Sequence, residues 1–207
     1  MKCRHCSKEI TFQLIDLGTA PPSNAYLTEA TINQPETWFP LIVMVCEKCW
    51  LVQVESSSRA ADLFNDEYAY FSSFSDAWLR HCEAYVEKMV QLLGLGDSSM
   101  VAEIASNDGY LLQFVRLKDI PCYGVEPTAS TAHAARERGI ETIEEFFGAE
   151  LANHLVKNGK AADLVAANNV LAHVPDINDF VRGFSVLLKE EGVATFEFPH
   201  LMKMIED

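Results

Sequence analysis

Basic residues are scarce in this chain: 16 Lys and Arg stand against 30 Asp and Glu, for a formal net charge of −14. A surface that negative repels phosphate backbones, which disfavours nucleic-acid and anionic-membrane partners. Long apolar runs are missing as well. No stretch approaches the roughly 18 consecutive apolar residues that cross a bilayer. The opening Met1-Lys2-Cys3-Arg4-His5-Cys6 has no apolar segment behind its basic residues, so it does not read as a secretory signal. The expected location is the reducing cytoplasm, where cysteines serve as thiols or metal ligands rather than as a disulfide framework. The sequence shows no internal repeat and no low-complexity tract. It also lacks G-x-G-x-x-G, the glycine pattern that admits a dinucleotide pyrophosphate.

What is present divides into three stretches: a small domain over 1–60, an aromatic segment with a linker helix over 61–97, and an α/β domain over 98–207. The first holds Cys3-x-x-Cys6 and Cys46-x-x-Cys49, with Pro21, Pro22, Pro35 and Pro40 between them. Its apolar runs, residues 12–17, 41–45 and 50–54, are short and strand-like. That is too little for an independent core, so this part needs a staple. Two CxxC pairs separated by 39 residues have the form of a structural zinc site. The long spacer is no obstacle, because loop closure grows costlier only slowly with length. A redox CxxC would open a helix within a βαβ pattern, and neither pair does. Four thiolates saturate the ion, which makes the expected role structural. Cys82 and Cys122 read instead as core residues.

The aromatic segment contains Phe64, Tyr68, Tyr70, Phe71 and Phe74. Ser75 is a candidate cap for the helix marked by Trp78, Cys82, Val86, Met89 and Leu93, and Gly94 is a stop. From Met100 onward, strands (101–105, 122–125, 140–143, 164–167, 193–198) alternate with helices (111–117, 128–137, 148–157, 178–188). That alternation predicts βαβ units and a parallel sheet.

The candidate ligand loop follows the first of these strands: Glu103-Ile104-Ala105-Ser106-Asn107-Asp108-Gly109. In an open α/β sheet, ligands bind beyond the carboxyl ends of the strands. Gly109 permits close backbone approach, and Asn107 or Asp108 is placed to cap the next helix. Glu126, 23 residues after Glu103, ends the second strand where an acid accepts from ribose hydroxyls. Pro127 follows it. Asp108 argues against a pyrophosphate, which needs bare N–H groups. S-adenosylmethionine (SAM) has no phosphate and carries a sulfonium and an ammonium, so acids suit it. At the fourth strand, Asn168 and Asn169 are candidates for the methionine end of SAM, and His173 lies where a methyl acceptor would sit. Phe146 is a candidate border for the adenine, with plain core as the alternative.

Taken together, the two CxxC pairs, Tyr68-Ala69-Tyr70-Phe71-Ser72-Ser73-Phe74-Ser75, residues 103–109, Gly124-Val125-Glu126-Pro127, residues 168–173 and Phe196-Glu197-Phe198-Pro199-His200-Leu201 resemble one family. It comprises SAM-dependent sugar C-methyltransferases with an N-terminal zinc-binding domain, acting on nucleotide-linked 4-keto deoxysugars. The resemblance implies a class I methyltransferase Rossmann-like sheet preceded by the zinc domain. It implies SAM and zinc as cofactors and a nucleotide-sugar substrate. It also implies a base that removes the proton alpha to the ketone, so that the resulting enolate attacks the methyl group. Tyr70 and His173 match positions that the family places at the sugar site. Family members run to roughly twice this length and carry a later Glu-His motif. The resemblance therefore implies a C-terminally incomplete sheet with an exposed edge. Alternatives are a methyltransferase acting on RNA or another small molecule, and a non-catalytic zinc- and SAM-binding module.

Overall fold

A computed structural model describes residues 1–24, 26–55 and 70–206, which form two units. Phe64, Tyr68 and the rest of 56–69 lie outside the described residues. One unit contains Met1–Tyr70 together with Pro175–Asn178. Its antiparallel sheet has the order β1 (Phe12–Ala20), β2 (Phe39–Val45), β3 (Val52–Val54). Pairing runs from Phe12 opposite Val45 to Ala20 opposite Phe39, with two register shifts on the way. Eight of the nine β1 residues are exposed, so this sheet contributes little apolar burial. The buried centre is Cys3, Ile10 and Cys46, flanked by Met1, Cys6, Met44, Cys49 and Leu51.

The second unit contains Phe71–Val174 and Asp179–Asp207. A short 3₁₀ turn, Ser72–Phe74, leads into α1 (Asp76–Leu93). Ser75 caps α1, its hydroxyl accepting from Trp78 N–H at 3.2 Å, and Gly94 ends it in the left-handed region at φ 63°. The following elements alternate: β4 (Val101–Ile104), α2 (Leu112–Arg116), β5 (Cys122–Val125), α3 (Ala129–Glu137), β6 (Glu141–Ile143), α4 (Ala149–Lys157), β7 (Ala162–Asn168), α5 (Ile177–Leu187), β8 (Leu188–Glu197) and α6 (Leu201–Glu206). Among the described residues the five strands are all parallel, in the order β6-β5-β4-β7-β8. Strand order reverses between β4 and β7, and a ligand crevice forms at such a switch point.

Alternation along β4 divides the core. Val101 faces a layer containing Cys82, Val86 and Met89 of α1 with Leu112, Val115 and Ile140. Ala102 and Ile104 face the other layer, with Leu151, Leu155, Phe180, Phe184 and Leu187. Each fully buried Leu, Ile or Phe contributes about 1.5–3 kcal/mol relative to exposure. Cys82 is fully buried and Cys122 half-buried, both within the first layer.

Three local features differ from the sequence reading. α2 starts later than expected, with Leu111 at its cap and no side-chain cap. Asn107 and Asp108 do not cap it because their side chains are drawn to other partners, described below. β8 begins directly after α5, at Leu188, where the charged Lys189-Glu190-Glu191 masks the strand. The register shift between Ala162 and Leu164 marks the same irregularity from β7. α6 was not expected; its six residues are all exposed.

Gly109 has φ 78°, and a Cβ there would run into Ile140 Cδ1 and crowd Ala135 Cβ at 3.4 Å. Gly109→Ala therefore combines backbone strain with overpacking. It should lower stability by about 2 kcal/mol or more, read from urea unfolding of the purified chain.

Candidate functional site

Two knuckles of the same form bring four cysteines together. Cys3 N–H donates to Lys8 O at 2.8 Å, and Ser7 N–H to Cys3 O at 3.0 Å. In the second knuckle, Cys46 N–H donates to Leu51 O at 3.0 Å and Trp50 N–H to Cys46 O at 2.8 Å. Ser7 and Trp50 occupy the same place in each turn, and both have positive φ, 60° and 64°. The four Sγ atoms lie within 4.8 Å of one another, with Cys3–Cys49 and Cys6–Cys46 each at 3.5 Å. Four sulfurs around one tetrahedral zinc stand about 3.8 Å apart, so the cluster has the right size. Burial opposes ionisation of Cys3, yet the Cys6 N–H and Gln53 hold its thiol at about 6. Cys46 is drawn down chiefly by the Cys49 N–H, against burial. The Leu51 N–H favours the Cys49 thiolate, but burial and the sulfurs of Cys3, Cys46 and Cys6 push it up to about 12. Such a set becomes fully thiolate only around a cation.

In the second unit, the loop between β4 and α2 is held from several sides. Ala105, Asn107 and Gly109 all have positive φ, at 59°, 49° and 78°. Glu126, at the end of β5, fixes the loop from below. Its Oε2 accepts Asn107 N–H at 2.9 Å, and its Oε1 accepts Thr128 N–H at 2.9 Å. Asn107 Oδ1 in turn accepts Ser72 N–H at 2.9 Å. Ser106 is fully buried against Gly124, where any Cβ would collide with its hydroxyl. That explains the glycine on β5.

Asp108 is also buried, and among the described residues its Oδ1 has no hydrogen-bond partner. Its Oδ2 accepts from Ser73 Oγ and pairs with Arg138 Nη1 at 3.1 Å. Arg138 further donates to the Asp108 carbonyl at 2.6 Å and to Ser73 Oγ at 2.8 Å. Ser72, Ser73 and Arg138 were not singled out in the sequence as loop supports. The serines lie inside the 68–75 motif, whereas nothing in the pattern around Arg138 marks it.

Glu103, on β4, is 0% exposed, and neither carboxylate oxygen meets hydrogen-bond geometry. Burial raises its pKa well above the usual carboxylate range; the Tyr110 hydroxyl pulls it back, and Glu126 and Asp108 push it further up. Burial likewise raises Glu126, moderated by the N–H and hydroxyl of Thr128 and by Asn107 N–H. Ser106 Oγ, Thr128 Oγ1 and Ser130 Oγ are further buried polar atoms without a hydrogen-bond partner.

At the end of β7, Asn168 is buried and its amide reaches the Tyr110 hydroxyl. Asn169 is left-handed at φ 53°, and its N–H donates to Glu197 O at 2.7 Å. His173 follows in a turn closed by its N–H on Val170 O at 2.8 Å. Its side chain is exposed overall, yet neighbouring atoms crowd the ring enough that desolvation lowers its pKa. Pro127 is half-buried, and Phe146 is 53% exposed. Phe147 is core, edge-on to Phe180 and Phe184 at 5.7 and 5.3 Å. Tyr70 is exposed and falls in the first unit. The structure thus gathers residues 103–109, Glu126 and Asn168 at the carboxyl ends of β4, β5 and β7.

The parallel order β6-β5-β4-β7-β8 is that of the class I SAM methyltransferase sheet, and the match to a methyltransferase domain selects that class among doubly wound sheets. Comparison with known proteins agrees with that class. Residues 3–64 match a family described as "Putative zinc binding domain", and residues 102–194 match one described as "Methyltransferase domain". The C-methyltransferase NovU of Streptomyces niveus is 31% identical over 206 residues, covering 100% of this chain and 49% of NovU. The chain therefore spans about half the length of that curated relative. Among solved structures, DesVI of Streptomyces venezuelae gives a TM-score of 0.45 at 15% identity, over 56% of this chain and 50% of DesVI. Magnesium protoporphyrin IX methyltransferase ChlM from Synechocystis PCC 6803, with bound SAH, gives 0.43 at 14% identity, over 54% and 52%.

Because Glu103 binds its proton more tightly when folded than when unfolded, its buried carboxyl lowers stability as pH rises above its unfolded pKa. The effect is absent below about pH 4.5, where both states are protonated. Glu103→Gln should gain stability relative to wild type as pH rises above the unfolded carboxyl pKa, a gain that levels off above the raised folded one, followed by urea unfolding across pH.

Proposed function

We propose that this chain binds SAM at the carboxyl edge of the parallel sheet and holds a structural zinc ion in the four-cysteine cluster. We further propose that it belongs to an enzyme that C-methylates a nucleotide-linked 4-keto deoxysugar. The observation that carries this reading is the 31% identity to a C-methyltransferase along the full chain, through both the cysteine cluster and the sheet. The sugar substrate is supported by the motif resemblance at residues 68–75, 103–109 and 168–173. The charge of −14 disfavours an RNA substrate.

The residues suit both groups. The sulfur spacing fits one tetrahedral zinc through Cys3, Cys6, Cys46 and Cys49. At the sheet edge, three buried acids and orphaned hydroxyls suit a ligand that brings positive charge and hydroxyl groups but no phosphate. Bound SAM supplies an electrophilic methyl group. In this reading Glu126 accepts from ribose hydroxyls with the lone pairs left beside Asn107 and Thr128. Ala105, Ser106, Asn107 and Gly109 form the loop wall, with Asp108 holding that wall through Arg138. Asn168 and Asn169 flank the amino-acid end, and Pro127 and Phe146 border the adenine. His173, kept neutral near physiological pH by desolvation, takes the proton alpha to the ketone, and Tyr70 orients the sugar. The protein is read as cytoplasmic.

Titration calorimetry of SAM into the zinc-replete chain should give saturable binding that weakens at least tenfold in Glu126→Ala. Absence of saturable binding to the folded wild type would overturn the cofactor assignment. Metal analysis should find one zinc per chain, lost in Cys46→Ser. Chelation should melt the small antiparallel sheet before the parallel one, because the four cysteines that would hold the metal sit in that unit's small buried cluster. A far-ultraviolet melt unchanged by a strong chelator would contradict the zinc assignment.

A further inference from the structure

The three acids at the candidate site are compensated unequally. Asp108 is paired with Arg138, and Glu126 receives two backbone N–H groups. Glu103 is fully buried and has neither; the Tyr110 hydroxyl favours its charge, and Glu126 and Asp108 oppose it. A carboxylate in that position is disfavoured in the absence of a cation. The ligand loop starts immediately after β4, two residues beyond Glu103, so a charge bound against the loop lies about 7 Å along the strand from it. A ligand cation is thus the missing compensation.

Resting on the SAM-binding reading above, we propose that Glu103 senses ligand charge. Its carboxyl gives its proton to solvent when the sulfonium of SAM occupies the site. It keeps that proton when the neutral thioether of S-adenosylhomocysteine does. The balance is one proton: it leaves Glu103 for a buffer base on SAM binding and returns after the methyl group, and with it the positive charge, has left. The ammonium and carboxylate of the amino-acid end are common to both ligands and cancel in the comparison. Discrimination between cofactor and by-product then depends on pH, and alkaline conditions favour SAM.

The thiols and phenols facing Glu103 keep their protons at neutral pH. From α1, burial pushes Cys82 and Tyr85 up to about 12 each. From β5, Cys122 is pushed up to about 11, and from the turn before α2 burial raises Tyr110. β7 presents Ala166 and Asn168, which do not titrate. Asp108 stays paired with Arg138, whereas Glu126, raised by burial against its two backbone donors, is a second acid whose proton the Glu103→Gln arm separates from that of Glu103. Beyond β7, desolvation lowers the His173 pKa and keeps its ring neutral.

The test is calorimetric proton counting. SAM and S-adenosylhomocysteine are titrated into the zinc-replete chain, each in phosphate and in Tris, which differ in ionisation enthalpy. Wild type should release more protons with SAM than with the by-product, by up to one per chain, and Glu103→Gln should abolish that difference. Equal counts for the two ligands in wild type would overturn the proposal. So would a difference that persists in Glu103→Gln, which would point to Glu126 or His173. Should the variant fail to fold, the wild-type dissociation constants across pH decide. The ratio favouring SAM should rise up to tenfold per pH unit, whereas parallel curves overturn the sensor. Failure of SAM to bind the folded protein would instead overturn the cofactor reading on which this one rests.

Discussion

Burying three carboxylates at the carboxyl end of one parallel sheet is the constraint around which the larger unit is arranged. Each acid brings a desolvation penalty, met by local partners at Glu126 and Asp108 and by a raised pKa at Glu103. Glu126 meets it with two backbone donors, Asn107 and Thr128, and so ties the loop after β4 to the chain leaving β5. Asp108 meets it with Arg138 and Ser73, which ties the same loop to the end of α3 and to the turn before α1. The left-handed backbone at Ala105, Asn107 and Gly109 persists because these contacts over-determine it. Loop shape and acid compensation are thus one problem with one set of contacts.

The same reasoning explains the glycines that matter here. Gly109 lies where a side chain would strike Ile140, and Gly124 lies where one would strike Ser106. Their role is close packing between the loop and its neighbours. A phosphate-binding glycine loop uses glycine to bare N–H groups toward an anion. Here the loop N–H of Asn107 is spent on a glutamate instead.

Period and composition made the α/β unit legible in sequence. Buried runs such as residues 101–104 and 164–167, alternating with amphipathic helices, appear in the structure within a residue or two of their expected places. Ser75 and Gly94 bound their helix for the reasons their residue types suggest. The candidate loop, Glu126 and the four cysteines were visible as motifs, because turns and knuckles need particular residues. What stayed hidden is what depends on partners far apart in sequence. Arg138 reaches Asp108 across 30 positions, and no local pattern announces it. The start of β8 hid behind charged residues, and Asn107 and Asp108 looked like caps until their side chains proved to be engaged by Ser72, Ser73 and Arg138.

The two cysteine knuckles carry a consequence of their own. They close on themselves through near-identical turns, Cys3 to Lys8 and Cys46 to Leu51, and each is complete before it meets the other. The chain between them contributes no cysteine and, along β1, little buried surface. Doubling the length of such a connection adds only about 0.6 kcal/mol to its closure. The segment between β1 and β2 is therefore open to insertion at small cost. Lineages or engineers can lengthen it, or graft a peptide there, while both turns stay intact and the sulfurs still converge.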